Sequence, residues 1–112
     1  MKAGESMVNK IIGNFFMRRL PELRRERELT RKEIAKGVGV TLGKYDKWEA
    51  GKVLPKSEDI ARLAKFYELS IDDFLGLTAE ESEAIKRRLL EDAENLPPQA
   101  RKLVLEAMQE QT

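Results

Sequence analysis

The chain has 112 residues, with 21 Lys and Arg against 20 Asp and Glu, and neither Cys nor His. That is enough for one domain with appendages and one modest core. It excludes disulfides, thiolate metal sites and thiol nucleophiles, and it removes the commonest general base and transition-metal ligand. No apolar run approaches the ~20 residues of a membrane span and none resembles a signal-peptide core, so a cytoplasmic protein with no membrane partner is expected.

Hydrophobic spacing favours helices throughout, with no convincing strand alternation. Val8, Ile11, Ile12, Phe15 and Phe16 form one apolar helical face. Pro21 interrupts the pattern, so the reading is one helix ending near Arg19 and a second from Leu20, through Leu23, to about Arg27. Thr30 to Glu33 spells a capping box that opens a helix bearing Ile34, Ala35 and Val38, stopped by Gly39. Thr41 caps the next helix, which carries Tyr45 and Trp48 and ends at Gly51. After Pro55, Ser57 caps a helix with Ile60, Leu63, Ala64 and Tyr67 on one face, and Ser70 caps a short one with Phe74 and Leu75. Thr78 to Glu81 is a further capping box, before Ile85, Leu89, Leu90 and Ala93. Pro97-Pro98 breaks the pattern, and Ala100, Leu103, Val104, Ala107 and Met108 resume it, which predicts a helical hairpin.

Charge is unevenly spread. Residues 1–76 carry 16 basic and 12 acidic side chains, a net +4; residues 77–112 carry 5 and 8, a net −3. The first part permits contact with nucleic acid and the tail discourages it. Residues 35–48 carry the most information: a small residue, Ala35, four before a glycine, Gly39, then Val40 and Tyr45 to plug the angle between two helices. That is the specification of a helix-turn-helix, although any tight corner between helices could look similar.

Residues 20–76 resemble the Cro/CI-type (XRE) helix-turn-helix family. The matching text is Leu23-Arg24, Leu29-Thr30, Glu33-Ile34-Ala35, Val38 to Thr41, Trp48 to Lys52, Pro55, Leu63-Ala64 and Leu69 to Leu75. The resemblance implies an all-α, five-helix, lambda-repressor-like domain over 20–76. An N-terminal helical extension over 1–19 and a C-terminal helical hairpin over 77–112 flank it. It further implies that the helix from Thr41 to Glu49 lies in the major groove of double-stranded DNA, and that Arg24 and Glu49 form an internal salt bridge. Arg31 stands where relatives have a phosphate-contacting glutamine, and Thr41, Lys52 and Lys56 join it as expected phosphate contacts. Leu42, Gly43, Lys44 and Lys47 are the expected base-facing residues. Relatives commonly place polar readers where this chain has Leu42 and Gly43; leucine can touch a thymine methyl, glycine only permits close approach, and DNA shape is expected to carry more of the readout. Asp46 would repel phosphate unless paired.

The tail is too short for its own core, so its apolar stripes must pack on the domain or on a second copy. The family's habit of binding as a two-fold dimer favours self-association through Leu89, Leu90, Leu103, Val104 and Met108, with recognition helices roughly 34 Å apart. The expected function is a DNA-binding repressor acting as a homodimer. The alternative is a protein-interaction module, an antitoxin or a regulator of another regulator, on the same scaffold; a regulatory protein or peptide partner stays open. Gly37 to Lys44 fits no phosphate-loop spacing, and Asp72-Asp73 and Glu80-Glu81 read as helix caps. No catalytic, cofactor or metal site is expected.

Overall fold

The computed structural model describes the backbone of residues 3–76 and 79–109, and the side chains of residues 13–76, 80 and 82–108. Among these, all regular structure is helical: α1 (Ala3–Glu26), α2 (Arg31–Val38), α3 (Leu42–Glu49), α4 (Ser57–Phe66), α5 (Ile71–Leu75), α6 (Ala79–Ala93) and α7 (Pro98–Gln109). The chain divides into two compact units, Met1–Leu54 and Pro55–Thr112.

In the first unit, α1 and α2 both pack on α3. The expected break at Arg19 and Leu20 is absent, because α1 runs unbroken through Pro21. A proline inside a helix removes one hydrogen bond and costs about 3 kcal/mol. Here Phe16, Leu20 and Leu23, at i, i+4 and i+7 across the proline, are each at most 3% exposed. Burying such side chains stabilises by about 1.5–3 kcal/mol each, which outweighs the local cost and keeps the helix continuous through the proline. Phe15 is buried as well; the side chains of Val8, Ile11 and Ile12 lie outside the described residues.

The two ends of the α2–α3 turn are built by caps. Thr30 Oγ1 accepts from the Glu33 N–H at 3.1 Å while Glu33 accepts from the Thr30 N–H at 2.8 Å. Gly39 leaves α2 in the left-handed region (φ +86°), where a β-carbon is disfavoured, and this lets the N–H groups of Gly39 and Val40 both reach the Ala35 carbonyl at 2.9 Å. Thr41 then caps α3, accepting from the Lys44 N–H at 3.1 Å. Ile34, Ala35, Val38, Tyr45 and Trp48 are buried along this corner, and the Tyr45 and Trp48 rings meet edge to face at 6.1 Å.

In the second unit α4 is the centre, packed by α5, α6 and α7. Its core is Ile60, Leu63, Ala64, Tyr67, Ile71, Phe74, Leu75, Ile85, Leu89, Ala93 and Val104. Ser57 does not cap α4: Lys56 occupies the N-cap, and its N–H is met by Asp59 at 3.3 Å. Ser57 Oγ donates instead to Asp92 at 2.6 Å, tying the start of α4 to the end of α6. Asp72 receives Ser82 Oγ and Lys86 Nζ, each at 3.0 Å. The hydrogen bond from Lys86 holds the Asp72 carboxyl below its usual range, against the opposing effect of burial. Arg101 closes the hairpin by donating to the carbonyls of Ala93, Glu94 and Leu96 at the end of α6. The expected capping box at 78–81 includes positions outside the described residues.

The tail therefore packs in cis on α4. Two of the five residues expected at a dimer interface, Leu89 and Val104, are 1% exposed and belong to the second unit's own core. Leu103 and Met108 are half-buried, and Leu90 is 46% exposed. The spacing signal could not separate the two stripes, since an apolar face reads the same whether its partner is cis or trans.

Candidate nucleic-acid interface

α3 sorts its eight residues between inside and outside by its 3.6-residue repeat. Tyr45 and Trp48 turn inward and are fully buried. Leu42, Gly43, Lys44 and Lys47 are exposed, as are the capping Thr41 and, past the helix end, Lys52 and Lys56. Lys44 Nζ lies over the Trp48 ring, 5.9 Å from its centroid, which aligns that ammonium along the helix. A β-carbon added at Gly43 would meet nothing within 4 Å, so the middle of this face is open. Gly51 (φ +73°) ends the helix by letting the Lys52 N–H reach back to the Lys47 carbonyl at 2.9 Å.

Behind the lysine face a cluster of charges fixes how α3 sits on α1 and α2. Arg24, from the last turn of α1, donates Nε to Glu49 Oε2 at 2.9 Å and Nη2 to Oε1 at 3.3 Å, a two-pronged grip on a carboxylate only 6% exposed. Tyr45 Oη donates to the same Oε2 at 2.5 Å. Arg31, at the start of α2, donates Nε to Oε1 at 3.2 Å and lies 3.9 Å from Asp46 Oδ1. Burial pushes the Glu49 carboxyl up, but the hydrogen bonds from Arg24 and Tyr45, with the charges of Arg24 and Arg31, outweigh it and hold the group below its ordinary range. One acid thus joins the three helices of the first unit.

From the sequence, Glu49 is expected to pair with Arg24 alone and Arg31 to contact phosphate. The structure brings Arg31 to Glu49 and Asp46 as well, with its side chain 54% exposed. Tyr45 was detectable: four residues before Glu49 on a helix, it shares that residue's flank. Arg31 was not, because nothing local links positions 18 apart. Asp46, feared as a repulsive charge in the groove, leans toward Arg31 at the side of the helix.

A family model described as a helix-turn-helix domain matches residues 16–75, from the second half of α1 through α5. Among similar proteins, the cryptic phage CTXphi transcriptional repressor RstR of Vibrio cholerae is 30% identical over 96 residues, covering 83% of this chain and 86% of its own. The uncharacterised HTH-type transcriptional regulator YobD of Bacillus subtilis is 30% identical over 77 residues, 69% of each chain. The HTH-type transcriptional activator BcrR of Enterococcus faecalis is 33% identical over 60 residues, covering 54% of this chain and 29% of its own. No solved structure matches the chain. Among the described residues no helix is long and apolar enough to cross a membrane. The names of these relatives point to transcription control and not to catalysis, and the match extends across the capped corner and the open lysine face of α3. The chain belongs to the XRE (Cro/CI-type) family of DNA-binding helix-turn-helix transcriptional regulators.

Proposed function

We propose that the protein is a repressor that binds a pseudo-palindromic operator as a homodimer, with α3 in the major groove of each half-site. The observation that carries this reading is the sorting of α3: its aromatic side is spent on the core, while Lys44 and Lys47 stand on an exposed face. Lys44 and Lys47 are the polar side chains that face base edges. Thr41, whose hydroxyl keeps a proton to donate while capping α3, contacts backbone phosphate together with Lys52 and the exposed part of Arg31. Repression is favoured over activation because the repressor RstR matches over most of both chains, whereas the activator BcrR matches over 29% of its own. Such a role places the protein in the cytoplasm with the DNA.

For the dimer, the exposed apolar side chains of the hairpin are the available ones. Leu90 and Leu105, 46% and 37% exposed, line an open groove of about 450 Å³ with Ala93, Glu94 and Arg101. A second copy seated there removes both leucines from water, and Leu103 and Met108 border the same hairpin. The test is a nuclease-protection assay on the DNA upstream of the protein's own reading frame, paired with sedimentation of the wild type and a Leu90→Asp/Leu105→Asp variant. The expected result is two inverted half-sites about one helical turn, 10–10.5 base pairs, apart. The variant should remain folded and monomeric and lose protection of both halves together. Protection of one unpaired half-site, or a variant that still dimerises, would overturn the dimer reading.

A further inference from the structure

We infer that Leu42 and Gly43 together form a thymine-methyl reader, and that apolar contact in the major groove supplies the operator specificity that polar side chains supply elsewhere. This rests on the DNA-binding reading above and names what that face recognises. Leu42 is 43% exposed on the first turn of α3, where the chain could have turned an apolar side chain inward beside Tyr45 and Trp48 but does not. Its neighbour Gly43 is a glycine inside a helix, with an ordinary negative φ and open space where a β-carbon would sit. Glycine there weakens the helix relative to alanine, and among the described residues no left-handed turn or crowded neighbour requires it. A residue that costs helix stability and serves no internal packing has its use outside the chain: removing the side chain lowers the helix toward whatever it meets. The polar readers nearby are few. Arg31, the strongest donor at the edge of this face, has its Nε committed to Glu49. The major-groove edge offers one apolar group among the four bases, the C5 methyl of thymine, and a leucine brought close by a flat neighbour matches it in chemistry and size.

The experiment uses the full chain and a duplex enriched by it from a random pool. Each thymine is replaced in turn by deoxyuridine, which removes the methyl and keeps every hydrogen-bonding group. Wild type, Leu42→Ala and Gly43→Ala are titrated on each duplex. At one or two thymines per half-site the replacement should weaken wild type about fourfold, the equivalent of one buried methyl-sized group. Leu42→Ala should bind the thymine duplex about that much more weakly and no longer distinguish uracil from thymine at those positions. Gly43→Ala should keep or raise the melting temperature and yet lose roughly tenfold in affinity, because its added methyl meets the groove wall. Uracil substitution without effect at every position, unchanged discrimination in Leu42→Ala, or undiminished binding by Gly43→Ala would each overturn the inference while leaving DNA binding intact. If no duplex is enriched at all, the regulator reading itself fails.

Discussion

Glu49 is the most heavily committed side chain of the first unit, holding Arg24, Arg31 and Tyr45 at once. Removing one member of a buried ion pair strands the others, which costs about 3 kcal/mol where, as here, the partner guanidinium is partly hydrated. Glu49→Ala should therefore lower the melting temperature by on the order of 10 °C, checked by thermal unfolding at neutral pH; an unchanged midpoint would show that the cluster is idle. Because the carboxyl is held below its ordinary range when folded, its stabilising contribution is present above the unfolded value near 4.5 and fades as pH falls through the lower folded value. The variant and the wild type should thus converge in stability under acid. At this scale the sequence was legible where a resemblance carried it, at Arg24 and Glu49. It was blind where a long side chain had to choose among partners, as Arg31 does between phosphate and two nearby acids.

Helix starts are legible in a few adjacent residues, whereas helix continuity and the partner of a capping side chain depend on distant packing. Caps depend on two or three adjacent residues, so Thr30 with Glu33, Thr41 and Ser70 were visible as text and act as caps. Pro21 was visible too, but its meaning depended on burial of Phe16, Leu20 and Leu23, which no local rule contains. Ser57 failed for a similar reason: its hydroxyl found Asp92, 35 residues away. The helix ends show the same division of labour. α1 finishes with Glu28 in the left-handed region (φ +54°), where the Leu29 N–H closes on the Arg24 carbonyl at 3.0 Å, and α2 finishes with Gly39 in that region. A β-carbon in this conformation costs roughly 1–2 kcal/mol. Glu28→Gly should accordingly stabilise the protein by about 1 kcal/mol, and Gly39→Ala, with nothing nearby to clash, should destabilise it by about as much. Denaturant midpoints check both; equal signs for the two variants would contradict the backbone explanation.

Over the whole molecule, the exposed lysines of α3 belong to the first unit, and the exposed leucines of the hairpin, Leu90 and Leu105, belong to the second. The apolar stripes of the acidic tail were legible, but their partner was not: Ile85, Leu89, Ala93 and Val104 join the core around α4, and among the described residues Leu90 and Leu105 are the large apolar side chains left well exposed on the hairpin. The lysines make the DNA reading quantitative. Each phosphate neutralised contributes about −0.9 to the slope of log affinity against log salt. The most direct measurement is that slope for the enriched duplex, taken with wild type and with a Lys44→Ala/Lys47→Ala/Lys52→Ala variant of unchanged melting temperature. A steep wild-type slope that becomes shallower by about 0.9 per protomer in the variant, from the lost Lys52 phosphate contact, with weaker binding at every salt concentration from the lost base-facing Lys44 and Lys47, is the predicted result. Identical slopes, or wild-type binding indifferent to salt, would contradict the assignment of α3 as the surface that meets DNA.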